Sequence, residues 1–206
     1  MRRLNSFFIF IISSASILGQ STFDRSIDAS GLNEIIIILD NTFQVEITNT
    51  QENKIIYNAV SEGEYQDHVL IKTARTQKTL TIKDDLQPFS IDYNDKLSAH
   101  KVMAVKIVIQ IPSHIGVTIK SNIATLTAKG TYKNLFVELN SGDCIIDHFM
   151  GNATINTLTG DIKLSTKNAI VNTITKSGKL NVQKIYGEHK INLSSISGDI
   201  SVCKTK

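Results

Sequence analysis

The sequence predicts an all-β chain whose second half is a solenoid of about 18–20 residues per repeat. Three observations carry that prediction. Four phrases nearly copy one another: Ser141-Gly142-Asp143-Cys144, Thr159-Gly160-Asp161-Ile162, Ser177-Gly178-Lys179-Leu180 and Ser197-Gly198-Asp199-Ile200. Their glycines fall 18, 18 and 20 residues apart, and a fixed period of that size marks stacked supersecondary units. After each glycine the second and fourth positions are apolar: Cys144/Ile146, Ile162/Leu164, Leu180/Val182 and Ile200/Val202. The residues between them, Ile145, Lys163, Asn181 and Ser201, are mostly polar, the alternation of strands with one face inward.

Residues 1–20 read as a secretory leader rather than as part of the fold. Arg2 and Arg3 form a basic start, residues 7–12 and 15–18 an apolar segment, and cleavage is expected at about Gly19 or Gln20. The apolar stretch is shorter than the roughly 20 residues that a spanning helix needs. No cysteine follows it, which argues against a lipoprotein. The remaining residues, 21–206, are expected to form one exported domain without a transmembrane segment.

Within that domain, 21–116 is less regular. Strands are expected at 35–39, 43–48, 54–59, 68–73, 79–83 and 102–111, the last stopped by Pro112. Residues 84–95, with Pro88, form the best loop candidate. Residues 117–206 divide into five lines, 117–134, 135–152, 153–168, 169–189 and 190–206. The first lacks a glycine near Asn122, as a repeat near one end often does. Each glycine serves positive φ or close stacking on the next line.

Charge and cysteine usage narrow the function classes. The formal net charge of +3 falls to near +1 once Arg2 and Arg3 leave, which provides no footprint for nucleic acid. Cys144 and Cys203 are the two cysteines. Three lines apart, at about 4.8 Å per strand, they lie beyond the roughly 7 Å reach of a disulfide. Two free thiols are expected, Cys144 buried and Cys203 outward.

Several clusters are candidates for chemistry. Asp143, Asp161, Lys179 and Asp199 share one register position, which suggests either a calcium ladder or carboxylates bonding turn amides. Lys179 favours turn chemistry, since it sets an ammonium where a metal needs oxygen. Gly142, Asp143, Gly160, Asp161, Gly178, Gly198 and Asp199 are accordingly assigned as structural turn residues, with no cofactor. Asp143, Asp147 and His148, with Asp161 nearby, could support acid–base hydrolysis, but they fit a polar outer face better. Asp84, Asp85, Asp92, Asp95 and His100 read as a hydrated loop. Arg25 and Arg75 lie outside the repeats, away from where a polysaccharide lyase needs its base. No nucleophile elbow, zinc motif or phosphate loop is present. Asn152-Ala153-Thr154 and Asn192-Leu193-Ser194 fit a glycosylation pattern, relevant only to passage through an endoplasmic reticulum.

The run of residues 105–112, then Val117-Thr118-Ile119, then the repeated Ser/Thr-Gly-Asp-Ile-x-Val lines resembles the DUF4097 and GIN-domain group of putative bacterial adhesins. The opening pattern of Phe23, Gly31 and a hydrophobic strand before Phe43, Val45 and Ile47 resembles it too. That resemblance implies a right-handed β-helix-like fold, export from a bacterial cell and no established enzymatic activity. Lys179 in place of Asp and the glycine missing near Asn122 depart from the pattern. The expectation is therefore a secreted, non-catalytic adhesin-like binding or structural protein of the cell envelope, with a protein or glycan partner held on its Thr-, Asn-, Ser- and Lys-rich outer faces. The competing expectation is a polysaccharide-active enzyme using Asp143, Asp147 and His148. Self-association is a third, through the strand at 200–202, with Lys204 and Lys206 as charged guards.

Overall fold

A computed structural model describes residues 20–63, 69–87 and 103–205. The expected leader, the loop residues Pro88, Asp92, Asp95 and His100, and Lys206 lie outside the described residues. The described chain is all-β, with fifteen strands and no helix. The first seven are β1 (Gln20–Asp28), β2 (Glu34–Leu39), β3 (Gln44–Thr50), β4 (Lys54–Gly63), β5 (Val69–Arg75), β6 (Thr79–Leu86) and β7 (Met103–Pro112). The other eight are β8 (Gly116–Ser121), β9 (Thr125–Ser141), β10 (Cys144–Thr159), β11 (Ile162–Thr166), β12 (Asn168–Thr175), β13 (Leu180–Val182), β14 (Gly187–Ser197) and β15 (Ile200–Lys204).

These strands form two ladders around one core. The first runs β1-β4-β7-β3-β9-β10-β11-β15-β13; the second runs β5-β6-β2-β8-β9-β10-β14-β12. The long strands β9 and β10 belong to both, because each turns a corner partway along. From β3 and β2 onward every pairing is parallel. At the opposite end β1, β4 and β7 pair antiparallel, as do β5 and β6. Inward residues of both ladders, among them Ile35, Ile37, Ile107, Ile119, Val137, Ile155 and Leu193, form one buried cluster. Each such side chain contributes about 1.5–3 kcal/mol on leaving water.

The vertical order of the repeats differs from their order in sequence. Leu126 pairs with Cys144 and Cys144 with Ile162, but Ile162 then pairs with Ile200, and Ile200 with Leu180. The fourth repeat lies between the second and the third. The same exchange holds in the other ladder, where β14 separates β10 from β12. At the other end, β2 and β3 likewise sit between the later strands β6 and β8, and β7 and β9.

This order corrects several expectations. The strand at 200–202 is interior, so Lys204 guards no edge; the open edges at this end are β12 and β13. Leu180 and Val182 keep the inward parity but remain 51% and 39% exposed, since nothing stacks over them, whereas Ile162, Leu164, Ile200 and Val202 are buried. Cys144 and Cys203 are two strands apart rather than three, with Cys203 opposite Ser165. Both thiols are free, Cys144 buried and Cys203 exposed. Burial, with the Asp143 charge as a second cause, pushes the Cys144 thiol up to about 12. Asp84 and Asp85 belong to β6 rather than to a loop. The buried Asp84 carboxylate accepts from the amides of Asp40 and Asn41 and the hydroxyl of Thr42, each at 2.8 Å, and so closes the turn between β2 and β3.

The glycines stack at one corner. A Cβ on Gly142, Gly160, Gly198 or Gly178 would strike the carbonyl oxygen of Ala124, Gly142, Gly160 or Gly198 respectively. The counterpart of these glycines in the first line is therefore Ala124, not a residue near Asn122. Gly160 also has φ 126°, a conformation closed to most L residues. Gly160→Val is expected to destabilise the protein by about 3 kcal/mol, combining backbone strain with the collision against Gly142. A denaturant titration that moves by less than about 0.5 kcal/mol would show that this corner is not closely stacked.

Candidate functional site

The Asp column resolves into a capping ladder. The amide of Asp161 donates to Asp143 Oδ1 at 2.9 Å, that of Asp199 to Asp161 Oδ1 at 2.9 Å, and that of Lys179 to Asp199 Oδ1 at 2.7 Å. Each carboxylate holds the turn stacked upon it. Lys179 occupies the outermost turn, where no further amide requires an acceptor. The reason given for turn chemistry, an ammonium between carboxylates, therefore does not hold: Lys179 lies at the end of the column. What replaces it is the use of one oxygen of each carboxylate by a neighbouring amide.

Asp147 and His148 lie together on β10. His148 Nδ1 is 2.6 Å from Asp147 Oδ2. Asp147 Oδ1 accepts from Ser165 Oγ at 2.5 Å, and the His148 amide donates to the same hydroxyl oxygen at 2.8 Å. Asp143 and Asp161 meet at the turn instead, four residues or about 13 Å along the strand from Asp147. Two carboxylates that flank a glycosidic bond stand about 5–9.5 Å apart. The arrangement ties β10 to β11 and leaves no paired acid and base around a substrate-sized gap. Arg25 and Arg75 are remote from both groups; the Arg75 guanidinium donates to the carbonyls of Asp28 and Ser30.

A feature that sequence reasoning missed lies on the outer face of the second ladder. A cleft of about 640 Å³ crosses the starts of β2 and β8, the second halves of β9 and β10, and β14. Phe136 faces outward there, between inward Leu135 and Val137. It continues a cross-strand row from Thr118 through Phe136 and Thr154 to Asn192 and Asn172. Lys120 Nζ lies 6.0 Å from the Phe136 ring centre and pairs with Glu138 at 2.9 Å. At one side of the cleft, Glu34 accepts from Thr118 Oγ1 at 2.9 Å, and Asn152 Oδ1 accepts from the Lys190 amide at 3.0 Å. The side chains of Lys133, Asn134 and Lys190 make no hydrogen bond or ion pair among the described residues. The one sequence signal for this site was a phenylalanine at an outward position of an alternating strand. Asn152 and Asn192, noted above as glycosylation positions, line the same cleft.

Two measurements test these local assignments. Asp161→Ala is expected to cost about 1 kcal/mol, because it orphans the Asp199 amide, while Lys179→Ala stays within about 0.5 kcal/mol; equal effects would mean that the ladder does not end at Lys179. The hydrogen bond from Ser165, followed by that from His148, holds the Asp147 carboxyl below the ordinary 3.8. A depressed folded value means that this contribution is present above the unfolded pKa and is lost as pH falls through the folded one. A carboxyl titration by NMR should place Asp147 below 3.8, and Ser165→Ala should move it upward; an unshifted midpoint would contradict the contact.

Comparison with solved structures places the fold in context. The chain resembles a putative cell adhesion protein from Clostridium sporogenes with a TM-score of 0.67, at 12% identity over 91% of this chain and 100% of that one. A putative adhesin from Bacteroides fragilis superposes with a TM-score of 0.46, at 16% identity over 89% of this chain and 97% of that one. No family model and no curated protein matches the chain. The likeness to the clostridial protein is one of fold.

Proposed function

We propose that this chain is an exported, non-catalytic, adhesin-like protein of the bacterial cell envelope, a right-handed β-helix-like solenoid that binds an acidic glycan across Phe136. The observation that carries this reading is an outward aromatic ring set in an unbroken polar row, beside side chains with unused hydrogen-bonding capacity. A phenyl ring offers a flat apolar surface to the C–H face of a sugar. Thr118, Thr154 and the Asn134 amide supply hydroxyl-directed contacts around it. Lys133 and Lys190 make no ion pair among the described residues, and with Glu34 the one carboxylate in the lining the net charge is positive, which favours a carboxylated or sulfated sugar. A shallow, open groove formed by strand faces suits an extended chain rather than a small enclosed ligand.

The test is calorimetric titration of purified protein with matched neutral and acidic oligosaccharides. Acidic members are expected to bind, more weakly as salt rises. Phe136→Ala is expected to lower affinity about tenfold, equivalent to about 1.4 kcal/mol. Absence of binding to every glycan, or binding that survives both Phe136→Ala and the Lys133→Ala/Lys190→Ala pair, would overturn the proposal.

A further inference from the structure

The two ends of the stack are finished differently. At one end the free-edge strands β1 and β5 carry Asp24, Arg25, Asp28, Lys72 and Arg75, and antiparallel partners back both. Charged edge strands resist pairing with another sheet. At the other end, among the described residues, β12 pairs only with β14, and β13 only with β15. Neither contains a charged residue or a proline. Nine large hydrophobic side chains are exposed among the described residues, and five of them, Ile170, Ile174, Leu180, Val182 and Tyr186, belong to this last rung and its exit.

We infer that this rung is the contact surface for a second copy of the same chain, joined by antiparallel pairing of β12 with its symmetry mate about Asn172. The strand is close to palindromic around that residue: Ile170-Val171-Asn172-Thr173-Ile174. Pairing about Asn172 sets Ile170 of each copy opposite Ile174 of the other on the outer face, and Val171 opposite Thr173 on the inner face. It thereby covers two isoleucines that are 50% and 66% exposed in the single chain. Such cross-strand pairs are the stabilising unit of a sheet. Asn172 Nδ2 donates to Asn192 Oδ1 at 3.0 Å, which leaves the Asn172 carbonyl oxygen free to accept from its mate on the two-fold axis. Lys176 falls opposite Asn168, so no like charges meet.

The arrangement is isologous and therefore closed. Once two open rungs meet, the remaining ends are the charged, antiparallel ones. Eight residues at about 3.3 Å each, across a double layer roughly 20 Å thick, cover about 500 Å² per copy. The total of about 1,000 Å² lies at the small end of specific interfaces, as expected for a dimer that dissociates on dilution. Leu180 and Val182, at the open end of the core, come under the cover of the second copy.

Sedimentation equilibrium of the purified protein over roughly 1–200 μM tests the inference. The average mass is expected to rise to twice that of one chain and stop there. Ile170→Lys with Ile174→Lys places lysines opposite one another across the junction and should keep the protein monomeric throughout, with an unchanged unfolding midpoint under dilute conditions. Ile123→Lys, on an exposed apolar residue away from this edge, should leave dimerisation as it was. Amide exchange of β12 should slow as concentration rises, a readout that needs no variant. A monomer at the highest concentration, mass growth past the dimer, a dimer that survives the double substitution, or β12 amides indifferent to concentration would each overturn it.

Discussion

Contact between backbone and backbone at one corner governs this structure. Successive turns approach so closely that the carbonyl of one occupies the space that a Cβ on the next would need. Only glycine permits that approach, and the corner glycines 142, 160, 178 and 198 are each followed by a residue whose amide or carboxylate bridges to a neighbouring turn. The spacing set there continues along both ladders. It brings Leu126, Cys144, Ile162, Ile200 and Leu180 into one column and lets a mainly aliphatic interior form, with the buried rings of Tyr132 and Phe149 stacked within it. Glycine supplies the proximity and aspartate the hydrogen bond, so the repeated dipeptide is a structural device before it is anything else.

The repeated phrase, its period and the inward parity were legible in the sequence because they depend on local alternation and turn chemistry. The vertical order was not. Four near-identical corners fit one another in any sequence, and an 18- or 20-residue spacing is the same whichever neighbour a turn rests upon. One residue did carry the information. Lys179 marks the copy with no turn above it, but without coordinates it reads as an intrusion into the column rather than as its end. Asn122 misled in a related way: it lies in a side-chain ladder with Asp40 and Asn140, while Ala124 occupies the corner.

The outer face was harder still. Phe136 has an ordinary composition context, and its meaning comes from parity across four strands, namely Thr118, Thr154 and Asn192 beside it in register. The carboxylates and histidine that drew attention first are engaged in holding turns and adjacent strands. Chemistry-bearing residue types within a repeat are therefore weak guides to function until the stacking shows which of them remain free. At the cleft, the groups left without a hydrogen bond or ion pair among the described residues are the Asn134 amide and the Lys133 and Lys190 ammoniums.

The exchanged order of the last two repeats also governs assembly in time. In a simple coil each turn can dock as soon as it has been synthesised. Here residues 168–182 wait for residues 187–204 to follow them, because among the described residues β12 and β13 pair only with β14 and β15. The outermost segment is held back until the C-terminal one has slipped beneath it, much as a keystone waits for its neighbours. That dependence makes this end of the stack the last to lock, once residues 187–204 are in place.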